Sequence, residues 1–321
     1  MGAYAIRRAL INIPVIWLIV TLVFFATNVL PGDFVARRIA QQNPAGGVDA
    51  AAQIAQIKRE LGTDKPVLER YVRYLADTLR GDLGESYRTR DSAFAEFSRG
   101  VPYTLQLSLM TLAVVLLTSV PIGIISALRQ DSPADYGLRL LAILGVAAPN
   151  FWVGTVLLLL VVRFDLWTID LVNHPLVWEH PLRSVQLFIL PALAGGFASG
   201  AGIMRLTRSQ MLEVLRQDYI RTAWSKGLRE RVVVVRHAMK NAMIPVVTVI
   251  GLTVAGVLSG NVVFEYLFNI PGVGNRVLTA INERDIPVVQ AFVLIIATFV
   301  LFVNLAIDLL YGWLDPRIRI P

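Results

Sequence analysis

The 321-residue sequence contains no cysteine and only three histidines, and charged residues make up 17% of it. Without cysteine, the chain forms no disulfide bond and offers no thiolate to a metal or a covalent intermediate. It also lacks a Walker sequence, a dinucleotide-binding glycine fingerprint, Gly-x-Ser-x-Gly and His-Glu-x-x-His. We therefore predict a chain that carries no catalytic residues.

Two of the histidines, His174 and His180, flank Glu179 in a proline-containing stretch. Two imidazoles six residues apart are a weak metal signal, because metal sites in proteins usually need three or four ligands. We favour an ordinary exposed loop here and predict no metal site.

Apolar residues make up 55% of the chain and are grouped in long blocks. A helix of about 20 apolar residues crosses the hydrocarbon core of a bilayer, and it satisfies its own backbone hydrogen bonds. We therefore predict an integral membrane protein. The five clearest blocks cover approximately residues 9–30, 105–128, 138–162, 243–264 and 287–310.

A sixth block, 185–204, is interrupted by Pro191 and four glycines. Glycine and proline are more frequent in membrane helices than in soluble ones, so we count this block as a span. The first block is longer than the apolar core of about 7 to 15 residues in a signal peptide, so we expect it to be retained. The sequence thus predicts an all-α membrane protein with six transmembrane helices.

Positive charge is concentrated between the fourth and fifth spans, where residues 205–240 contain nine basic and three acidic side chains. The positive-inside rule assigns this loop to the cytoplasm, and six spans then leave both termini cytoplasmic. The net charge of +7 is explained by this topology, and we predict no nucleic-acid binding.

The large segment 31–100, between the first two spans, is predicted to be extracytoplasmic. Apolar residues at helical spacing, first Ile54, Ile57 and Leu61 and then several within 68–79, predict two amphipathic helices. We expect a break between them at 63–66 and a stop of the second helix at 80–84.

Charged residues are scarce inside the predicted spans, and Arg163 and Asp308 lie near span ends, where they can reach water. A carrier driven by protons or sodium ions usually needs carboxylates or broken helices near the membrane midplane. The pattern therefore suggests that any energy for uphill transport enters through another subunit.

The basic stretch 217–241 predicts two short helices on the cytoplasmic face. Asp218 can cap the first, whose apolar residues are Tyr219, Ile220, Ala223 and Trp224, and Gly227 can end it in a left-handed conformation. The second is expected to present Val232, Val235, Ala238 and Met239 on one side. Physical reasoning leaves two alternatives open: a docking knob for a partner, or a basic loop on anionic lipid.

The strings YIRTAWSKGL and RHAMKNAMIPVVT resemble the EAA loop of ABC-transporter permeases, in the branch that imports dipeptides, oligopeptides and nickel. Arg221 replaces the glutamate of the general motif, and Trp224 stands where arginine is more usual. Asn241, Ala242 and Pro245 match the downstream half. The resemblance implies a coupling helix that inserts into an ATPase subunit, formed by Asp218, Tyr219, Ile220, Arg221, Thr222, Ala223, Trp224, Ser225, Lys226 and Gly227.

Further similarity, in VLPGD at 29–33, LGTDKP at 61–66, residues 70–87 and residues 263–291, extends the resemblance to the B-type, or first, permease of peptide systems. It implies the type I ABC importer fold. The expected divisions are helix 1 at 1–30, the cap segment at 31–100, the permease core at 101–313 with a coupling loop at 207–241, and a cytoplasmic tail at 314–321.

The resemblance also implies the partners of the chain: a second permease, two ATPase subunits or domains and an extracytoplasmic binding protein, in a bacterial or archaeal plasma membrane. The chain itself would bind no cofactor, with ATP and magnesium held by the partners. Dipeptides or oligopeptides are the expected cargo; nickel, glutathione and oligosaccharides are alternatives within the class, and an electrochemically driven carrier or a membrane scaffold is an alternative outside it.

The segment 264–285, which contains the glycine-rich string IPGVGN at 270–275, is predicted to form part of an external gate or of a contact with the binding protein. A plain re-entrant turn is the alternative, since glycine and proline commonly make turns. The residues proposed for the gate are Phe268, Pro271, Gly272 and Gly274.

Overall fold

The computed structural model describes residues 2–29, 55–56, 59, 62–170, 172–258 and 262–314. The predicted helix through Ile54, Ile57 and Leu61, most of the 29–33 string and the tail from 315 onward lie outside these residues. The helices are α1 (Gly2–Val29), α2 (Val67–Leu79), α3 (Ala93–Leu128), α4 (Pro133–Ala147), α5 (Asn150–Arg163), α6 (Pro181–Leu215), α7 (Asp218–Ser225), α8 (Glu230–Val232), a π-helical segment (Val233–Ala238), α9 (Met239–Leu258), α10 (Val262–Leu267), α11 (Val273–Glu283) and α12 (Ile286–Leu314).

The all-α prediction is confirmed: in the described part of the chain, extended pairing is limited to one bridge between Glu85 and Ser92. Within the described residues, five helical stretches are long and apolar enough to cross a membrane, and a bent pair of helices makes a sixth span if it counts as one. The break predicted before α2 and the stop after it are both present, with Pro66 before the helix and Gly81 at φ +82° beyond its end.

The third predicted span, 138–162, is not one continuous helix, and this prediction is corrected. Helices α4 and α5 meet at a bend of 112°. Ala148 and Pro149 between them are extended, at ψ 132° and 135°. The proline explains the bend, because its ring disfavours the helical conformation of the preceding residue.

The fifth predicted span, 243–264, is shifted. The continuous helical stretch begins at Glu230, well before the predicted start, and α9 ends at Leu258. Phe264 lies in α10, and residues 259–261 lie outside the described part of the chain, so the predicted end at 264 stays a prediction. Hydropathy alone misplaced the start, because the first turns carry the exposed charged residues Glu230 and Arg231.

The chain divides into two compact units. The first consists of residues 1–101 and 275–321, and the second of residues 102–274. The boundaries expected at 30, 100 and 313 stay a prediction. In the first unit α1 packs along α12, where the Gln290 amide donates to Thr27 Oγ1 at 2.8 Å.

Helix α6 is the centre of the second unit, with α4, α5 and α9 packed around it. Its predicted span is interrupted by proline and glycine, yet 67% of its apolar window is buried, more than in the other four long apolar helices of the described residues. Gly196 shows why small residues are needed: a Cβ there would lie 2.4 Å from a methyl group of Val114 on α3. Glycine lowers hydropathy but allows close helix packing.

Candidate coupling site

Helix α7 begins and ends largely as the sequence predicts. Gly227 has φ +74°, and its N–H donates to the Trp224 carbonyl at 2.9 Å, while the Leu228 N–H donates to Ala223. These two bonds form a Schellman motif, which favours glycine at this position. The predicted cap is wrong: Gln217 is the N-cap residue and makes no side-chain capping bond, whereas Asp218 is the first helical residue and its side chain is 97% exposed.

The two faces of α7 are in different environments. Ile220 is fully buried and Ala223 is 6% exposed, and both pack into an apolar cluster that includes Ala127 of α3 and Met211 of α6. The remaining predicted coupling residues are exposed: Asp218, Tyr219, Arg221, Thr222, Trp224, Ser225, Lys226 and Gly227. The sequence grouped Tyr219 and Trp224 with the two buried residues, and the structure separates them.

The second predicted short helix is the beginning of a long one. Glu230–Val232 continues through the π-helical segment Val233–Ala238 directly into α9. Val233, Val234 and Ala238 are buried in the same cluster, and Met239 packs against it, which confirms the prediction for Ala238 and Met239. Val232 and Val235 are exposed, so the predicted face is corrected at these two residues. A π turn contains more residues than an α turn, and the 3.6-residue period used for the prediction therefore misassigns Val232 and Val235.

Polar contacts fasten α7 to the helix that follows it. The Asn241 amide donates to the Tyr219 hydroxyl at 2.7 Å, and that hydroxyl donates to the His237 carbonyl at 3.4 Å. The ion pair between Asp218 and Arg221, at 3.5 Å, is highly exposed and adds little stability. The position of α7 is thus fixed mainly by the buried cluster and by the contact between Tyr219 and Asn241.

The outer surface of this assembly combines apolar and basic side chains. Trp224 is 43% exposed and Val235 is 50% exposed, and the Arg221 side chain, three residues before Trp224 on the same short helix, is 74% exposed. An exposed aromatic residue beside arginine, on a base that is packed and hydrogen-bonded, is typical of protein-docking surfaces. The geometry is therefore suited to transmitting a push from a bound partner into α3, α6 and α9.

A buried ion pair lies in the same unit, and sequence reasoning missed it. Asp135 of α4 is fully buried and accepts two bonds from the Arg208 guanidinium of α6, at 2.8 and 2.7 Å. It also accepts the Ser126 hydroxyl of α3 at 2.5 Å and the Asp131 N–H at 3.1 Å. One carboxylate thus joins three helices. Arg208 is three residues from Met211, which belongs to the apolar cluster beneath Ile220 and Ala223.

The sequence does contain a local signal for Asp135. Ser132 caps α4 by accepting the Asp135 N–H at 3.2 Å, and the carboxylate reaches back to Asp131. This arrangement is a variant of the capping box, readable from Ser-Pro-Ala-Asp. Arg208 is 73 positions away from Asp135, so no local sequence pattern connects the two residues. In the sequence, Arg208 is only one of the basic residues of the positive loop.

The proposed gate residues lie around a buried carboxylate. Glu265 is fully buried and accepts the Thr104 hydroxyl at 2.6 Å. A Cβ on Gly272 would lie 2.4 Å from the Glu265 carboxyl carbon, and one on Gly274 would lie 2.7 Å from Val262. Phe268 is 2% exposed, and Pro271 is partly exposed. The glycines therefore allow the chain to wrap closely around Glu265, and the gating role stays a prediction.

The histidine loop differs from the expected exposed one. His174 is 8% exposed, its Nε2 lies 3.2 Å from the Phe268 carbonyl, and its ring packs against Phe188. Burial lowers the pKa of His174, which favours the neutral imidazole. His180 is exposed at the start of α6. Among the residues that the structure describes, no group of three or more candidate metal ligands is found.

Comparison with known proteins gives a consistent result. A family model described as binding-protein-dependent transport system inner membrane component matches residues 119–320. The chain is 37% identical to the dipeptide transport system permease protein of Escherichia coli strain K12 over 341 aligned positions, which cover 99% of each chain.

Two other relatives agree. Identity is 38% to the di/tripeptide transport system permease protein of Pseudomonas aeruginosa strain UCBPP-PA14, with 99% of each chain covered. It is 34% to the oligopeptide transport system permease protein of Bacillus subtilis strain 168, with 99% of this chain and 100% of that protein covered. These matches confirm the resemblance to peptide permeases. The chain therefore belongs to the family of inner-membrane components of binding-protein-dependent transport systems.

Proposed function

We propose that this chain is the first permease subunit of an ATP-driven importer and forms half of a pathway for dipeptides or oligopeptides. The names of the three relatives support peptide cargo. An extracytoplasmic binding protein delivers the cargo, a second permease completes the pathway, and both termini of this chain lie in the cytoplasm. ATP and magnesium are held by two ATPase subunits or domains, so this chain catalyses no reaction.

The observation that carries the proposal is the construction of the coupling site. Ile220 and Ala223 attach α7 to the helix ends behind it, and Trp224 and Arg221 remain outside for the ATPase. Closing of the ATPase subunits moves α7, and the buried cluster passes that movement to α3, α6 and the stretch leading to α9. The pathway then opens to the other side of the membrane. This change requires that the ATPase subunits bind the two conformations of the permease with different affinities.

The experiment is co-purification of the complete system in mild detergent. Trp224→Ala removes an exposed aromatic contact and should reduce both ATPase retention and peptide uptake into vesicles. Trp178→Ala is the matched control, because Trp178 is 66% exposed but belongs to the loop before α6. It should leave retention unchanged.

Retention of the ATPase subunits at the same level in the Trp224→Ala and parent complexes would overturn the docking assignment. Absence of any nucleotide-binding subunit from the parent complex would favour a carrier or a scaffold. Uptake of nickel, glutathione or an oligosaccharide in place of peptides would change the cargo and leave the ATP-driven class intact.

A further inference from the structure

Helix α2 has an apolar face that the protein covers only in part. The rings of Tyr71 and Tyr74 pack against Phe24 of α1, with centroids 5.4 and 5.5 Å away. Beside this covered side runs an aliphatic stripe in which Leu68 is 71%, Val72 59% and Leu79 81% exposed. Val72 lies four residues after Leu68 and seven, or about two turns, before Leu79, so the three side chains lie on one face of the helix.

The opposite side of α2 is polar. Glu69, Arg70, Arg73 and Asp77 line a cavity of about 180 Å³, together with the segment around Gly84. The Lys65 ammonium contacts the Glu69 carboxylate at 2.6 Å, and the pair is partly exposed to solvent. The helix therefore separates a water-accessible arc from an aliphatic arc.

The depth of α2 relative to α1 is fixed by a hydrogen bond. The Thr21 hydroxyl donates to the Trp17 carbonyl, so the Tyr71 hydroxyl donates to Thr21 Oγ1, at 2.8 Å. Thr21 lies within the apolar window Ile11–Asn28. It precedes the end of that window by seven residues, or about 10 Å at 1.5 Å per residue. Helix α2 thus lies beside the apolar part of α1.

The exposed stripe also lies beside an exposed part of the apolar window of α1. Phe25 of α1 is 43% exposed, and its ring lies 5.5 Å from that of Tyr71. The covered face of α2 therefore ends next to an exposed aromatic side chain that lies within the apolar window of α1. Acyl chains that contact Phe25 can extend directly over the aliphatic stripe.

We propose that α2 is an interfacial helix whose stripe of Leu68, Val72 and Leu79 is covered by lipid of the leaflet that holds the C-terminal end of α1. Such helices bury their apolar face roughly 5 to 10 Å into the boundary between headgroups and acyl chains, which matches the position of Thr21. Arg70, Arg73 and Arg80 lie at the polar side, where cations attract lipid phosphates. The proposal needs only a membrane-spanning α1 and is independent of cargo and ATPase docking.

The experiment uses the natural absence of cysteine. Leu68→Cys and Val72→Cys are each labelled with a nitroxide in the full-length chain, assembled with cysteine-free partner subunits in lipid nanodiscs. Collisions with oxygen, which concentrates in lipid, are compared with collisions with a water-soluble nickel chelate. Glu69→Cys and Asp77→Cys, on the polar arc of the same helix, are the matched controls.

Labels at 68 and 72 should collide several-fold more with oxygen than with the chelate, and labels at 69 and 77 should show the reverse. Preferential collision with the chelate at 68 would place the stripe in water and overturn the proposal. So would protection from both reagents, which indicates a protein cover. If the labels lose contact with both oxygen and the chelate only when the binding protein is added, that protein covers the stripe in place of lipid, and the proposal is overturned.

A second measurement needs no label. Val72→Trp adds an indole on the stripe, and brominated acyl chains should quench the added fluorescence, whereas Asp77→Trp should give no added quenching. Equal quenching at the two positions would contradict an interfacial orientation of α2.

Discussion

Replacing Arg208 with alanine is expected to destabilise the second unit and to weaken coupling between ATP hydrolysis and transport. Asp135 is fully buried, and the Arg208 side chain is only 19% exposed. Without the guanidinium, the carboxylate loses two charge-assisted hydrogen bonds and its counter-charge. The ends of α4 and α6 then lose their most direct polar connection.

The size of the effect follows from what remains around Asp135. Breaking a buried ion pair by removing one partner typically costs about 3 to 5 kcal/mol. The Ser126 hydroxyl and the Asp131 N–H still donate to the carboxylate, at 2.5 and 3.1 Å. We therefore expect the lower end, about 3 kcal/mol in the free energy of unfolding. Arg208→Lys keeps the charge but loses the two-pronged geometry, and should cost about 1.5 kcal/mol.

The assay is equilibrium unfolding of the purified protein by sodium dodecyl sulfate, together with the number of ATP molecules hydrolysed per peptide imported. The double variant Asp135→Asn with Arg208→Gln removes both charges and should recover at least half of the stability lost in Arg208→Ala. Arg208→Ala should also raise the ATP cost of each imported peptide. An Arg208→Ala protein as stable and as tightly coupled as the parent would refute the reasoning.

Two further predictions concern other buried polar sites. Gly272→Ala places a Cβ within 2.4 Å of the Glu265 carboxyl carbon and should cost about 1 to 3 kcal/mol of unfolding free energy. Gly202→Ala is the control and should be nearly neutral, because a Cβ there has no atom within 4 Å. Equal stabilities of the two variants would contradict the close packing around Gly272. Because the pKa of His174 is lowered in the folded state, the unfolded chain binds more protons below pH about 6.5. The stability of the parent protein should therefore fall as the pH drops from about 7.5 to 5.5, and that of His174→Asn should fall less. If the melting temperatures of the two proteins changed in parallel with pH, the buried imidazole would not be neutral.

The sequence predicts the membrane helices well, because the requirement to bury about 20 apolar residues acts within each segment. It does not predict which of these helices is the most buried. Glycine lowered the hydropathy of 185–204, yet Gly196 allows α6 to approach α3 and makes this helix the centre of its unit. Periodicity locates α7 and its terminal glycine, since both depend on local backbone preferences.

The contacts that organise the coupling site are less accessible to sequence reasoning. The π-helical segment Val233–Ala238 changes the helical period, so Val233 and Val234 are buried where an α-helix would bury other residues. The pair of Asp135 and Arg208 depends on two helices meeting in space. Local patterns contain the cap at Ser132 but no information about which distant cation reaches the carboxylate.

Photocrosslinking at α7 is the most direct test of the central claim that an ATPase subunit docks on this helix. A benzophenone-bearing residue is incorporated in place of Trp224 in the assembled transporter, and Trp178 provides the same substitution in a loop distant in sequence from α7. We expect irradiation to link a nucleotide-binding subunit at position 224 and none at position 178. Capture of lipid alone at position 224, in a transporter that still hydrolyses ATP and imports peptide, would contradict it.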